Sequence, residues 1–315
     1  MIQNVLTGKY IRDNKRFADL CNFYLYKGKH VINEEELTER DVTILGRPFT
    51  EKGAHYVEKI RDVLKACTVK SANGITYVII GVENQANIHY AMVIRNMVQD
   101  ALNYAEQVEN IAKRHRGDNN LKAGAEYLSG FTKDDKLCPV ITITLYWNSG
   151  EWDGPRTLQE MLDVSDEELM QYIPDYRLNL IVPDEITDFS DFETELGIVL
   201  QMFQCAKDKD MMKSFAMREK SIVVEKETAD LLNECLKLKL DISAEECEVI
   251  DLCKAMQDWA AEEREQGIEQ GIEQGRVLML VSLMKDGYIS KEVAAEKMGV
   301  RLNELEDMLL ETTTE

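Results

Sequence analysis

The segment "ITYVIIGVENQ" reads as buried strand along most of its length, with an apolar run from Tyr77 to Ile80 and then Val82, yet it closes on Glu83, Asn84 and Gln85. Asp62, 21 residues before Glu83, opens a second β-rich stretch, "DVLKACTVK", and the turn "SANG" lies between the two. If these segments pair as a hairpin, both carboxylates converge at one end of a sheet. Two acids and a backbone carbonyl around one point form a hard oxygen site suited to Mg²⁺, with Mn²⁺ as the second candidate. Such an ion polarises a phosphoryl oxygen and lowers the pKa of bound water. Gln85 points to the same face as Glu83, because strand side chains alternate, and can orient water or bind a phosphate oxygen.

Neighbouring elements supply further polar groups. A long helical pattern is expected over roughly 88–116, with Met92, Met97, Leu102, Val108 and Ile111 among its apolar positions. On it, Arg95 and Gln99 are four apart and share a face, so Arg95 can reach the site or its phosphate. Tyr104, nine beyond Arg95, lies about 180° further round. Upstream, "KRFADLCNFYLY" spaces Phe17, Leu20, Cys21, Tyr24 and Leu25 for a helix over about 15–26, closed by Gly28. Asp19 and Asn22 share one of its faces among apolar neighbours, and an acid so placed needs a partner, a metal being one candidate. Simpler readings compete with each of these. Asp62 could pair with Arg61 or Lys65 on a surface strand, Glu83 could cap the following helix or pair with Arg95, Asp19 could face solvent, and His89 and Tyr90 read as packing or hydrogen-bonding residues.

The elements that position these groups define an α/β pattern. "GKHVIN" and "ERDVTILG" are short strand candidates, "CPVITITLYWNS" has the composition of a buried central strand, and "YRLNLIVP" is another strand. From Asp191 onward the periodicity is helical. "REQGIEQGIEQGR" is an internal repeat with Gly267, Gly271 and Gly275 four apart. Glycine in a helix costs about 1 kcal/mol relative to alanine, so the stretch reads as a hinge or a plain solvated helix, with a small-residue face for close helix approach as the alternative. The tail predicts a helix stopping at Gly287, a short helix capped by Ser290, a Gly299 turn and a last helix capped near Asn303, a helix-turn-helix-like layout.

Composition sets the outer bounds. The chain has 315 residues, 44% hydrophobic and 30% charged, and lacks an apolar run long enough to span a membrane or serve as a signal peptide, which makes the cytoplasm the expected compartment. Seven scattered cysteines without a C-x-x-C speak for reduced thiols and against zinc. The net charge of -21 is unevenly spread: residues 1–116 hold 17 Lys+Arg and 14 Asp+Glu, a net of +3, and the remainder holds 20 and 44, a net of -24. The N-terminal part can therefore face a polyanion, whereas the rest would repel one unless locally basic. Nucleotide-binding glycine loops, H-E-x-x-H and G-x-S-x-G are absent, which removes the NTPase and hydrolase-triad readings.

The combination "FADLCNFYLYKGKHVI", "RDVLK", "YVIIGVENQANIHYAMVIRNMVQDALNY" and "EQGIEQGIEQG" resembles the Rpn family of bacterial recombination-promoting nucleases and transposases, within the PD-(D/E)XK nuclease superfamily. The resemblance covers most of the chain and is densest over residues 15–105. It implies a Mg²⁺-dependent DNA endonuclease of recombination, mobile elements or phage defence. Asp62 would match the first strand acid, Glu83 the acid of the E-x-K element and Asp19 the acid often supplied by the first helix. Gln85 stands where the superfamily usually has lysine, and Lys65 is a candidate substitute.

The expected architecture is an α/β restriction-endonuclease-like core with a mixed sheet over 1–185, a helical region over 186–262, a glycine-containing helical hinge over 263–276 and a helix-turn-helix-like tail over 277–315. Asp62 and Glu83 are the expected metal ligands and catalytic acids with Gln85 and Lys65; Asp19, Arg95, Gln99 and Tyr104 support them. DNA is the expected partner and a membrane is not. Homo-oligomers are expected through the helical C-terminal region, whose last two helices are too acidic to face phosphate and read as a dimerising or docking module. Rival classes are a nuclease fold that has lost activity and binds DNA or regulates, and an interaction protein docking a partner through its acidic helices.

Overall fold

Local side-chain chemistry shapes the N-terminal helices. α1 (Ile2–Arg12) gives way to α2 (Asn14–Tyr26) at Asp13, whose carboxylate accepts the backbone N–H groups of Lys15 and Arg16 at 3.1 Å and caps the second helix. α2 ends on two left-handed residues, Lys27 (φ 53) and Gly28 (φ 74), close to the predicted stop. The strand expected at "GKHVIN" does not form. Asn22 accepts from the N–H groups of Val31 and Ile32 at 3.1 and 2.8 Å and donates to the Ile32 carbonyl at 2.9 Å, so one amide side chain replaces a strand's ladder partner. The computed structural model describes residues 2–40, 43–46, 57–60, 62–71, 74–122, 124–164, 166–217, 221–238, 240, 249–298 and 300.

The main sheet is mixed and five-stranded. Its members are β1 (Thr38–Glu39), β4 (Val63–Ser71), β5 (Gly74–Gln85), β6 (Val140–Tyr146) and β7 (Asn179–Ile181), in the order β1-β4-β5-β6-β7. β2 (Thr43–Gly46) and β3 (Val57–Ile60) form a separate antiparallel pair within the "ERDVTILG" region and beyond it. The predicted hairpin is present: β4 and β5 run antiparallel from Val63↔Val82 to Ser71↔Gly74. β6 then joins β5 in parallel, with Glu83 opposite Thr144 and Gln85 opposite Tyr146. A parallel neighbour requires a crossover, which α3 (Met92–Asp118) and the short α4 (Gly124–Ser129) provide. α3 starts four residues later than its pattern suggested, at an Ala91 cap without a side-chain hydrogen bond.

One sheet face is apolar. Val63 and Cys67 of β4, Ile80 and Val82 of β5, and Ile143 and Leu145 of β6 are buried in one cluster with Phe17 and Leu20 of α2. α6 (Leu196–Cys205) adds Leu200 and Phe203, each side chain contributing roughly 1.5–3 kcal/mol by leaving water. The boundary drawn at residue 185 falls inside this core. After the short α5 (Glu167–Met170), α7 (Lys209–Ala216), α8 (Lys226–Leu236) and the antiparallel pair β8 (Val223–Glu225) and β9 (Val249–Asp251) place Phe215, Leu232 and Val224 in the same cluster. The Arg16 guanidinium, 3.8 Å over the Tyr10 ring, bonds Glu227 at 2.7 Å and Glu225 at 3.1 Å. The helices after residue 186 thus complete the core begun by the N-terminal part.

α9 (Leu252–Lys285) runs unbroken through Gly267, Gly271 and Gly275, so the expected hinge is continuous helix. A Cβ at any of the three would meet nothing within 4 Å, so among the described residues no helix packs on that stripe. The chain turns at Gly287 (φ 77) into α10 (Lys291–Met298), whose Ala294 and Ala295 are buried beside Met284, Ile289 and Met298. The final helix expected near Asn303 lies outside the described residues.

Candidate active site

The β4–β5 register sets where the two acids lie. Val63 pairs with Val82 at the last position of the hairpin, and Asp62 and Glu83 are the residues one step beyond that pair. Asp62 Oδ2 accepts the backbone N–H of Asn84 at 2.7 Å. Glu83 is fully buried: Oε1 accepts from Gln99 Nε2 at 3.0 Å, and Oε2 lies 2.9 Å from Arg95 Nη2. Gln85, 6% exposed, follows on the Glu83 face of β5, and among the described residues no hydrogen bond engages its side-chain amide. α1 closes the opposite side. Arg12 Nη2 donates to the Asp62 carbonyl at 3.2 Å, Asn4 Oδ1 accepts from Ala86 N at 3.1 Å, and Gln3 Nε2 donates to the Trp147 carbonyl at 2.8 Å.

Arg95 and Gln99 reach Glu83 because α3 presses a polar stripe onto the sheet. Its buried positions up to Asn103 are Met92, Val93, Asn96, Gln99, Asp100 and Asn103, a helical face that turns from apolar to polar after its first turn. Asn96 Nδ2 donates to Thr144 Oγ1 at 2.8 Å, and Asp100 accepts from Thr142 Oγ1 and from the Tyr176 hydroxyl, both at 2.6 Å. Hydrogen bonds in this low-dielectric layer favour one register, since slippage would break several of them at once, although Asn96 Oδ1 and Gln99 Oε1 lack a partner among the described residues. Asn96, Asp100, Thr142 and Thr144 were not among the expected site residues. The signal for Asn96 and Asp100 was present in the chain, where polar residues recur at helical spacing in line with Met92 and Val93; Thr142 and Thr144 alternate along β6.

Three expected residues lie elsewhere. Lys65 sits on the opposite face of β4, where Nζ donates to the Arg12 carbonyl and Asn14 Oδ1 and lies 5.1 Å from the Phe17 ring centroid, so it does not substitute for the missing lysine. Burial there pushes its ammonium below the ordinary lysine value. Asp19 is buried, yet it accepts the N–H groups of Glu193 and Thr194 at 2.9 and 2.8 Å together with the Thr194 hydroxyl, which ties α2 to the segment entering α6. Tyr104 accepts the N–H of Val140 at 3.0 Å at the start of β6, four residues and roughly 13 Å along the strand from Thr144. Of the simpler readings, the Glu83–Arg95 ion pair is present and capping by Glu83 is not; Arg61 lies outside the described residues.

Burial raises the Asp62 carboxyl above the ordinary aspartate value of 3.8, against the opposing pull of the Asn84 N–H and the Arg95 charge. Its contribution to stability is therefore full below 3.8 and is lost as pH rises through the raised pKa. In chelator at pH 7, Asp62→Asn is expected to melt above the wild type, with the gap closing as pH falls toward 4. Melting curves across that range check this, and a wild type more stable than the variant at every pH would contradict it.

Carboxylate oxygens are donors of the kind a hard divalent cation takes. Among the described residues no group of three or more His, Cys, Asp or Glu gathers. Mg²⁺ is commonly bound by one or two carboxylates together with waters and substrate phosphates; here half-buried Asp62 and fully buried Glu83 would be those carboxylates.

A mixed five-stranded sheet with helices on both faces, and paired acids at the end of its central hairpin, is a restriction-endonuclease-like core. The family model described as "Putative transposase, YhgA-like" matches residues 54–233, more than half of the chain, and the chain belongs to that family, part of the PD-(D/E)XK nuclease-like Rpn/YhgA group. No characterised protein and no solved structure matches the sequence. No helix among the described residues is long and apolar enough to cross a membrane.

Proposed function

We propose that the protein is a metal-dependent DNA endonuclease of mobile-element recombination or phage defence. The observation that carries this reading is that Asp62 and Glu83 lie one residue beyond the last pair of the β4–β5 hairpin, with Asp62 Oδ2 accepting the Asn84 N–H and Gln85 next on the Glu83 face. Membership of a transposase-named, nuclease-like family supports DNA as the substrate class.

Asp62 and Glu83 would hold Mg²⁺ or Mn²⁺, which when bound supplies Lewis-acid polarisation of the scissile phosphate and acidifies water. Gln99 fixes the Glu83 carboxylate through Oε1. Gln85 offers an amide to orient the attacking water, a role that needs hydrogen-bond geometry but no proton uptake. Arg95, with its side chain 33% exposed, can place positive charge where negative charge develops on the phosphate. Self-association through α9 belongs to the same reading, supported by the exposed apolar side chains Ile268, Ile272, Leu278 and Met279.

The test is supercoiled plasmid incubated with purified protein in Mg²⁺, in Mn²⁺ and in chelator, beside Asp62→Ala. Nicking that needs the metal and disappears in the folded variant is the expected result. A second reading, a nuclease fold that binds DNA without cutting, draws on one observation: Lys65 turns to the far face and leaves Gln85 in the usual lysine position. Salt-dependent DNA binding with no nicking under any metal would favour it.

A further inference from the structure

Arg95 occupies the charge position that a divalent cation would need. Glu83 has no exposed surface, and a buried carboxylate without a positive partner is strongly destabilising. Its two oxygens are held differently: Oε1 by the neutral Gln99 amide at 3.0 Å, and Oε2 by the Arg95 guanidinium at 2.9 Å. The Arg95 side chain is one-third exposed, so the head can move to water without a buried path.

From this geometry we infer that Arg95 is an exchangeable internal cation, which neutralises Glu83 in the metal-free protein and is displaced from Oε2 when the divalent ion enters. The inference rests on the metal site proposed above. It adds that metal affinity is set by competition with Arg95, and that metal entry frees the guanidinium for a phosphate beside the site. Gln99 stays on Oε1 throughout and keeps the carboxylate aimed, which makes it a positioning residue.

Competition has a readout independent of DNA cleavage. Full-length wild type, Arg95→Met, Arg95→Lys and Glu83→Gln are titrated with Mn²⁺ in the absence of DNA, free Mn²⁺ is followed by electron paramagnetic resonance, and melting curves are recorded in chelator and in Mn²⁺. An opposite charge at this range changes a carboxylate's affinity for a proton by roughly 10- to 10³-fold, so removing Arg95 is expected to tighten Mn²⁺ binding by about tenfold or more. Arg95→Met should also melt below the wild type in chelator and recover more of that loss in Mn²⁺. Arg95→Lys should fall between the two, and Glu83→Gln should not bind. Equal or weaker Mn²⁺ binding by folded Arg95→Met, with binding retained by the wild type, overturns the exchange and leaves the metal site standing. Absence of Mn²⁺ binding in all four proteins overturns the exchange together with the metal reading. If Arg95→Met fails to fold, Arg95→Lys decides: affinity no greater than that of the wild type overturns the competition.

Discussion

Glu83→Gln will lower metal-dependent plasmid nicking by roughly 10³-fold while leaving the fold in place. The magnitude follows from the proposed role: residues that merely orient metal ligands cost about 10- to 100-fold when removed, and Glu83 as a ligand would carry charge directly to the ion. The survival of the fold follows from partners. A glutamine retains a carbonyl oxygen for the Gln99 amide, and Arg95, already one-third exposed, can turn to solvent when its partner loses its charge. The stability cost should therefore fall below the roughly 3–5 kcal/mol typical of breaking a wholly buried ion pair. Initial nicking rates beside a chemical denaturation curve separate the two effects. A variant that cuts within about threefold of the wild type would remove Glu83 from the chemistry.

Asp19→Ala is expected to do the reverse, with a large loss of stability and little loss of chemistry per folded molecule. Asp19 accepts two backbone N–H groups and one hydroxyl from Glu193 and Thr194, and alanine leaves these donors without their acceptor. Hydrogen bonds to a charged group contribute roughly 1.5–3 kcal/mol each; because they share one carboxylate they do not add fully, and about 3 kcal/mol is a fair total. For a domain of this size that corresponds to a fall in melting temperature of roughly 6–12 °C. Asp19→Asn, which keeps one acceptor oxygen, should lose less. Below the transition, nicking per folded molecule should match the wild type. Loss of cutting by a fully folded Asp19→Ala would instead return this carboxylate to the active site.

These opposite expectations mark what could be read in the chain and what could not. The β4–β5 hairpin was legible because "SANG" separates two β-rich runs, and its register puts Asp62 and Glu83 one residue beyond the last pair. α2 was legible from its apolar spacing and its Gly28 stop, and the absence of "GKHVIN" as a strand was not, because Asn22 satisfies that backbone from within its own helix. Lys65 and Asp19 had chemically suitable side chains, but suitability does not say which sheet face or which loop a side chain meets. The parity of β4 turns Lys65 away from Glu83, and the approach of α6 to α2 claims Asp19.

The sequence by itself determined the β4–β5 hairpin, the family and the alternation of strand and helix, because each is written in spacing along a single element or between two elements joined by a turn. Only the tertiary structure decided that Arg95 and Gln99 divide the two oxygens of Glu83, that a polar stripe on α3 holds them there, and that the helices beyond residue 186 belong to the same core. Those outcomes depend on contacts between segments far apart in the chain, where packing and the satisfaction of buried polar groups select among partners that local periodicity leaves equivalent.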